Sequence, residues 1–177
     1  MTNSDDKLYY SILASGSSGN ATYLETAHHR ILIDAGLSGK RLEERMEAIG
    51  RSLKDVEALF VTHEHSDHVQ GVGVLARRYG MDVYAHAKTW QAMAKKVGQI
   101  PLAQKNIIEP GKVKDFGDLE VESFAVSHDA ACPQFYQMHH DNQTFCILTD
   151  TGYVSQRVAK TIENADAYLM ECNHDTE

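Results

Sequence analysis

The stretch Thr62-His63-Glu64-His65-Ser66-Asp67-His68 follows directly on the apolar run Ala58-Leu59-Phe60-Val61. It places three imidazoles and two carboxylates within six consecutive residues, 63–68. A folding core has little use for such groups, because each is costly to bury without a partner. A divalent cation is the partner that fits, since neutral imidazole and carboxylate are both good ligands for zinc and similar ions. If the apolar run is a buried strand, the fold must carry this loop out at a sheet edge. Side chains then alternate, so His63 and His65 project to one side. Asp67 and His68 lie where the chain turns into a helix and face a second metal position. Glu64 and Ser66, at the alternate positions, are read as spacers that point away.

The 177 residues are 42% hydrophobic, enough for one domain with its own core over residues 1–177. No apolar run is long enough to span a bilayer, and Met1-Thr2-Asn3-Ser4-Asp5-Asp6 is acidic and polar rather than a secretory signal. A cytoplasmic protein with no membrane association is expected. Cys132, Cys146 and Cys172 are odd in number and form no C-x-x-C pair, so buried free thiols are expected. The net charge of −8 argues against a broad electrostatic surface for nucleic acid. It leaves an anionic substrate open, because two divalent ions in a cleft add positive charge that no residue count shows.

In chain order, residues 8–13 and 21–26 read as strands around the turn Ala14-Ser15-Gly16-Ser17-Ser18-Gly19-Asn20. Ser15, Ser18 and Asn20 are placed to contact a phosphate or to support a metal ligand, or simply to make a hairpin. His28-His29 reads as a solvated turn, and 30–34 as a buried strand ending in Asp34. Helices are predicted over 38–49, 69–79, 88–97 and 154–163, with Ser38 capping the first and Gly50 and Gly80 as stops. Strands are predicted over 57–61, 82–85, 112–116, 119–126 and 167–170, with a hairpin of 135–138 and 144–148. His86 is expected to pack or cap, 99–109 to be a connector, and His139 and His140 to be exposed at the hairpin turn.

One grammar recurs. Asp34, His63, His128, Asp150 and Glu171 each follow a short apolar strand. If those strand ends share one edge, the polar residues converge on one cleft. His128 is then the best candidate for a third imidazole beside His63 and His65, and Asp150 for a bridge between two metals. Asp34 either orients a neighbouring ligand or caps its turn. The order of elements indicates an α/β protein with mixed sheets and helices outside.

These residues resemble the metallo-β-lactamase fold superfamily, which carries T-H-x-H-x-D-H after an apolar strand, an earlier strand-end Asp, and a later His and Asp. More narrowly, the motifs Leu13-Ala14-Ser15-Gly16-Ser17-Ser18-Gly19-Asn20, Ser127-His128-Asp129, Thr149-Asp150-Thr151-Gly152 and Glu171-Cys172-Asn173-His174-Asp175 resemble the WalJ (YycJ) family. The resemblance implies an αββα sandwich, two mixed sheets with outer helices, and a site for two divalent ions, Zn²⁺ or Mn²⁺. His63, His65 and His128 would hold one ion and Asp67 and His68 the other. Asp150 would bridge, and Asp34 would stand behind the ligands. It implies a metal-dependent phosphodiesterase acting as a 5′-to-3′ exonuclease on double-stranded DNA, with Asp67 and His174 as catalytic groups. A thioester hydrolase of the glyoxalase II type and a metal-stabilised regulatory domain are the alternatives. The superfamily carries a further metal-binding histidine near its C-terminus, so the chain is expected to be the N-terminal part of a longer protein, or else to use His174 instead. Oligomeric state is left open.

Overall fold

The structure is a computed structural model that describes residues 7–149 and 153–170. The first half of the chain forms β1 (Tyr9–Ala14), β2 (Ala21–Glu25), β3 (Arg30–Ile33), α1 (Gly39–Ala48), β4 (Ala58–Phe60), α2 (Ser66–Val69), α3 (Val72–Tyr79), β5 (Asp82–Ala85), α4 (Ala87–Val97) and β6 (Lys105–Ile107). The second half forms β7 (Val113–Asp115), β8 (Glu120–Ala125), β9 (Gln134–His140), β10 (Gln143–Leu148), α5 (Gln156–Ile162) and β11 (Ala167–Met170). Strands β1 to β6 make one sheet in sequence order, and β11-β10-β9-β8-β7 make the other. Both are mixed: β3 to β6 run parallel and β10 pairs parallel with β11, while the remaining pairs are antiparallel.

Strand alternation builds the layers. In β3, Leu32 packs into a cluster with Leu42 and Met46 of α1, Val72, Leu75 and Ala76 of α3 and Met93 of α4. Its neighbours Ile31 and Ile33 point the other way, into a second cluster. There they meet Phe60 and Tyr84 from the first sheet and Phe135, Tyr136, Phe145 and Ile147 from the second. Phe60 stands edge-on to Tyr136 at 5.3 Å across this interface. Val158 and Ile162 of α5 are buried against the second sheet, and Gln137 Nε2 of β9 donates to Thr161 O of that helix at 3.1 Å. The result is the expected αββα sandwich. Because β3, β4 and β5 are parallel, their C-terminal ends share one edge, which is where Asp34, Thr62 and His86 leave the sheet.

Four expectations need correction. The helix expected over 69–79 is two helices, α2 and α3. Gly71 N donates to Ala35 O at 2.7 Å instead of to its own helix, and a Cβ at Gly71 would lie 2.5 Å from Leu37 O. The connector 99–109 contains β6, an edge strand that completes the parallel run. His29 is not simply solvated, since its ring bridges Glu57 at 2.7 Å and Asp118 at 3.3 Å and so ties the two sheets together. His139 and His140 belong to β9, and the turn is only Asp141-Asn142. His140 continues the inward series of Tyr136 and Met138 and is buried, with Nδ1 2.6 Å from Asp118 O, while His139 bonds Thr144 Oγ1 and Glu122. Of the thiols, Cys146 is buried and Cys132 only half-buried, and Cys172 lies outside the described residues. Among the described residues no helix is long and apolar enough to cross a membrane.

Candidate metal centre

Just beyond β4, Val61 and Thr62 are both fully buried, and the chain then runs on through His63 to an extended His65 before α2 begins at Ser66. The extended segment sets His63 and His65 on one side, with His63 Nε2 3.1 Å from His65 Nδ1. His128 arrives from beyond β8 in the other sheet. Its ring centroid is 4.7 Å from that of His63 and 5.1 Å from that of His65. One ligand atom from each of the three lies within 4.8 Å of the others, and His63 is buried while His65 and His128 are half-buried. In a tetrahedral zinc shell two nitrogens sit ~3.3 Å apart, close to the His63–His65 separation.

The hydrogen bonds around the loop assign the tautomers. Asp34 leaves β3 with φ 61°, a left-handed conformation that an aspartate tolerates. Its carboxylate accepts from Thr62 N and Thr62 Oγ1, each at 2.8 Å, and from His68 Nδ1 at 2.8 Å. His68 therefore carries its proton on Nδ1 and presents Nε2 as an acceptor, and this is the state that binds a cation. Thr62 Oγ1 has its single proton engaged with Asp34, so it accepts from His63 Nδ1 at 2.9 Å. His63 then also presents Nε2. Two buried histidines are thus held with acceptor nitrogens turned toward the site. That donor chemistry fits a divalent ion.

Asp67 and His68 stand beside this triad. Asp67 Oδ2 is 3.6 Å from His68 Nε2, and the His68 ring lies 4.0 Å from that of His63. Asn20, at the end of the glycine-rich turn, is buried between them. Its Nδ2 donates to His68 Nε2 at 3.0 Å and to Asp67 Oδ2 at 3.4 Å. For Asn20, a supporting role beside the candidate ligands is the one this geometry favours. Backbone bonds lock the three segments: Asn20 N to Asp67 O at 2.7 Å, Gly36 N to Asn20 O at 2.8 Å and Ala35 N to His68 O at 2.8 Å. Of the two readings of Asp34, the orienting one matches its bond to His68.

Glu64 is not a spacer. Its Oε1 accepts from Ala131 N at 2.8 Å, and its carbonyl accepts from Lys96 Nζ at 2.8 Å. It clasps the loop that carries His128 to the loop that carries His63 and His65. Ser66 is exposed, as its place in the alternation implies. Thr62, Gln134 and Tyr136 escape sequence reading. Gln134 N donates to Thr62 O at 3.1 Å, and Tyr136 Oη donates to Val61 O at 2.8 Å while accepting from Gln134 Nε2. Burial pushes the Tyr136 phenol well above its usual range, so it stays a donor. Their signal is faint, being only polar residues inside otherwise apolar strands. His86 caps α4, accepting from Lys88 N at 3.1 Å, and pairs with Glu109. Asp150, Glu171 and His174 lie outside the described residues.

The sequence family described as the β-lactamase superfamily domain matches residues 29–177. The exodeoxyribonuclease WalJ of Streptococcus pneumoniae is 59% identical over 170 residues, covering 95% of this chain and 63% of its own length. The exodeoxyribonuclease YycJ of Bacillus anthracis is 52% identical, covering 96% and 64%. The chain thus spans a little under two thirds of the length of these relatives. Among solved structures, a Cronobacter sakazakii metallo-β-lactamase with an HARLDQ motif superposes with a TM-score of 0.70 at 18% identity, covering 88% of this chain and 74% of that one. The Rm3 metallo-β-lactamase gives 0.68 at 17%, covering 92% and 74%. Likeness at that identity speaks for the fold, and the family match implies divalent metal ions. The chain belongs to the metallo-β-lactamase superfamily, in its WalJ branch.

Proposed function

We propose that this chain carries the metal centre of a phosphodiesterase that degrades double-stranded DNA as a 5′-to-3′ exonuclease. The carrying observation is the convergence of His63, His65 and His128 beside Asp67 and His68, in a chain 59% identical to an exodeoxyribonuclease. His63, His65 and His128 hold one divalent ion. Asp67 and His68 would hold the other, and Asp150 would supply a further carboxylate to the pair. The imidazole-rich triad suits zinc and the carboxylates suit manganese. Such ions supply a water of lowered pKa and neutralise phosphate charge. The chain's own residues do the rest. Asp34 and Thr62 fix the tautomers of His68 and His63, and Asn20 orients Asp67. Asp67, half-buried at the mouth of a neighbouring cleft, accepts the attacking water's proton. His174 is assigned to the phosphate or the leaving oxygen. A cytoplasmic setting fits the free thiols of Cys132 and Cys146.

The test is nuclease activity on duplex DNA with added Mn²⁺ or Zn²⁺, for the full-length protein and its His65→Ala variant, with metal content measured in parallel. The variant is expected to lose more than about 100-fold in activity, beyond the loss typical of residues that merely support a ligand. Equal activity in the two, or hydrolysis of a thioester in preference to DNA, rejects the assignment.

A further inference from the structure

Beside Asp67 the surface opens into a cleft of about 370 Å³ lined by Ser17 and Ser18 of the glycine-rich turn, Ser66 at the start of α2 and Gln70 just after it, and Lys96 of α4. Lys96 Nζ uses one of its three donors on Glu64 O. The ammonium is thus held at the rim while the others remain for a ligand. Val69 and Gly36 complete the lining, in which hydroxyl, amide and ammonium groups are the donors and the one anion, Asp67, is also a candidate metal ligand. Helix α4 extends this character. Its sequence Ala87-Lys88-Thr89-Trp90-Gln91-Ala92-Met93-Ala94-Lys95-Lys96-Val97 holds three lysines and no acidic residue, in a chain of net charge −8. Thr89, Met93 and Val97 form its buried face. Lys88 and Lys95 are seven residues apart and therefore on one exposed face, about 10.5 Å apart along the axis. The helix lies along the site. Near its N-terminal end Thr89 Oγ1 donates to Cys132 O, in the loop after His128, and at its C-terminal end Lys96 reaches the metal loop.

Resting on the phosphodiesterase reading above, we propose that this cleft is a phosphate subsite. It grips the substrate strand at a phosphodiester flanking the one that is cut, with Lys96 as its cation and Ser17 and Ser18 as hydroxyl donors. Lys95 and Lys88 continue the track along α4. The surface is narrow and local, which reconciles an acidic protein with a polyanionic substrate. Backbone contacts of this kind add affinity and register without reading sequence.

The test uses full-length, metal-loaded protein and a duplex DNA probe. Binding is measured by fluorescence anisotropy across a salt series, cleavage by steady-state kinetics, and hydrolysis of the small diester bis(p-nitrophenyl) phosphate alongside. Lys96→Gln is expected to raise KM for DNA about tenfold with kcat nearly unchanged, and to reduce the slope of log affinity against log salt by about one. The ratio of DNA to small-diester activity falls accordingly. Lys96→Arg keeps the slope, and Lys54→Gln, in the turn between α1 and β4, leaves it at the parent value. The proposal is overturned if Lys96→Gln matches the parent on DNA. It is equally overturned if the variant loses kcat and metal together with an unchanged salt slope, because Lys96 then only props the Glu64 carbonyl. A parent protein that neither binds nor cleaves DNA removes the phosphodiesterase reading, and the subsite with it, which is a separate result from a variant that equals an active parent.

Discussion

Asp34 concentrates more of the site's logic than any ligand does. One buried carboxylate accepts from Thr62 N, Thr62 Oγ1 and His68 Nδ1. Asp34→Asn keeps the size and tolerates the left-handed backbone, but its amide can accept at only one of its two ends. His68 then loses the acceptor that holds its proton on Nδ1. Metal affinity at the Asp67–His68 position is expected to fall 10–100-fold, the range typical for such supports, measured by calorimetric titration. Metal-free stability is expected to fall by about 1–3 kcal/mol in urea denaturation, from the unpaired buried donors. Cys146 gives a second test at this scale. Burial pushes its thiol up from 9.0 to about 12, outweighing a hydrogen bond from Gln137 that lowers it. The fold thus favours the protonated thiol. Its contribution is intact below about pH 9 and is lost as pH rises toward 12, at about 1.4 kcal/mol per unit. Cys146→Ala is expected to flatten that part of the alkaline stability curve, and a thiol reagent should reach Cys146 only on unfolding. At this scale the sequence is legible where a residue type is out of place, as imidazoles after an apolar strand are. It is silent where a residue's role depends on what lies across the sandwich. His140 sits beside a turn in sequence, yet Asp118 O from a different hairpin holds it inside.

The glycine-rich turn, the Asp34-Ala35-Gly36 corner and the metal loop are three elements sharing one backbone seam. Gly36 sits at its centre without a left-handed backbone. What it supplies is space, since a Cβ there would meet Asp67 O at 1.6 Å and Asn20 N at 2.5 Å. Both are main-chain atoms that already bond each other. Gly36→Ala must therefore part the segments that carry Asn20 and Asp67, and is expected to cost about 3 kcal/mol or more and to lower metal content together. Gly50→Ala is the contrast. It stands at φ 69° with nothing within 4 Å, so it bears backbone strain alone, about 1–2 kcal/mol, and should leave metal content at the parent level. Chemical denaturation with metal analysis on both variants separates space from strain. Element types were largely readable, because apolar periodicity reports strands and helices directly. Where reading failed, a distant partner intervened. Ala35 O takes Gly71 N and splits one expected helix into α2 and α3, and β6 exists because β5 offers it an edge.

Across the whole molecule, the candidate ligands belong to different layers of the sandwich. His63, His65, Asp67 and His68 leave the first sheet at β4, and His128 leaves the second after β8. The sheets meet through the Phe60–Tyr136 contact, the Tyr136–Val61 and Gln134–Thr62 hydrogen bonds, and the His29 bridge at the far end. A cation shared by His63, His65 and His128 adds a cross-link between halves far apart in sequence, and it exists only when both sheets are docked. Binding to the native state alone stabilises by about 2.7 kcal/mol at a metal concentration 100 times the dissociation constant. For a chain of this size that raises Tm by roughly 5–10 °C. Chelation is expected to lower Tm by that amount, and re-addition of Zn²⁺ or Mn²⁺ to restore it. His128→Ala should erase most of the metal-dependent shift, read as the difference between the metal-loaded and metal-free Tm of the same variant. His28→Ala, exposed in the β2–β3 turn, should keep the full shift. A His128→Ala protein that still gains the parent shift would mean that the ion is held by the first sheet alone, and the docking of the sheets would then rest on the apolar interface and its hydrogen bonds.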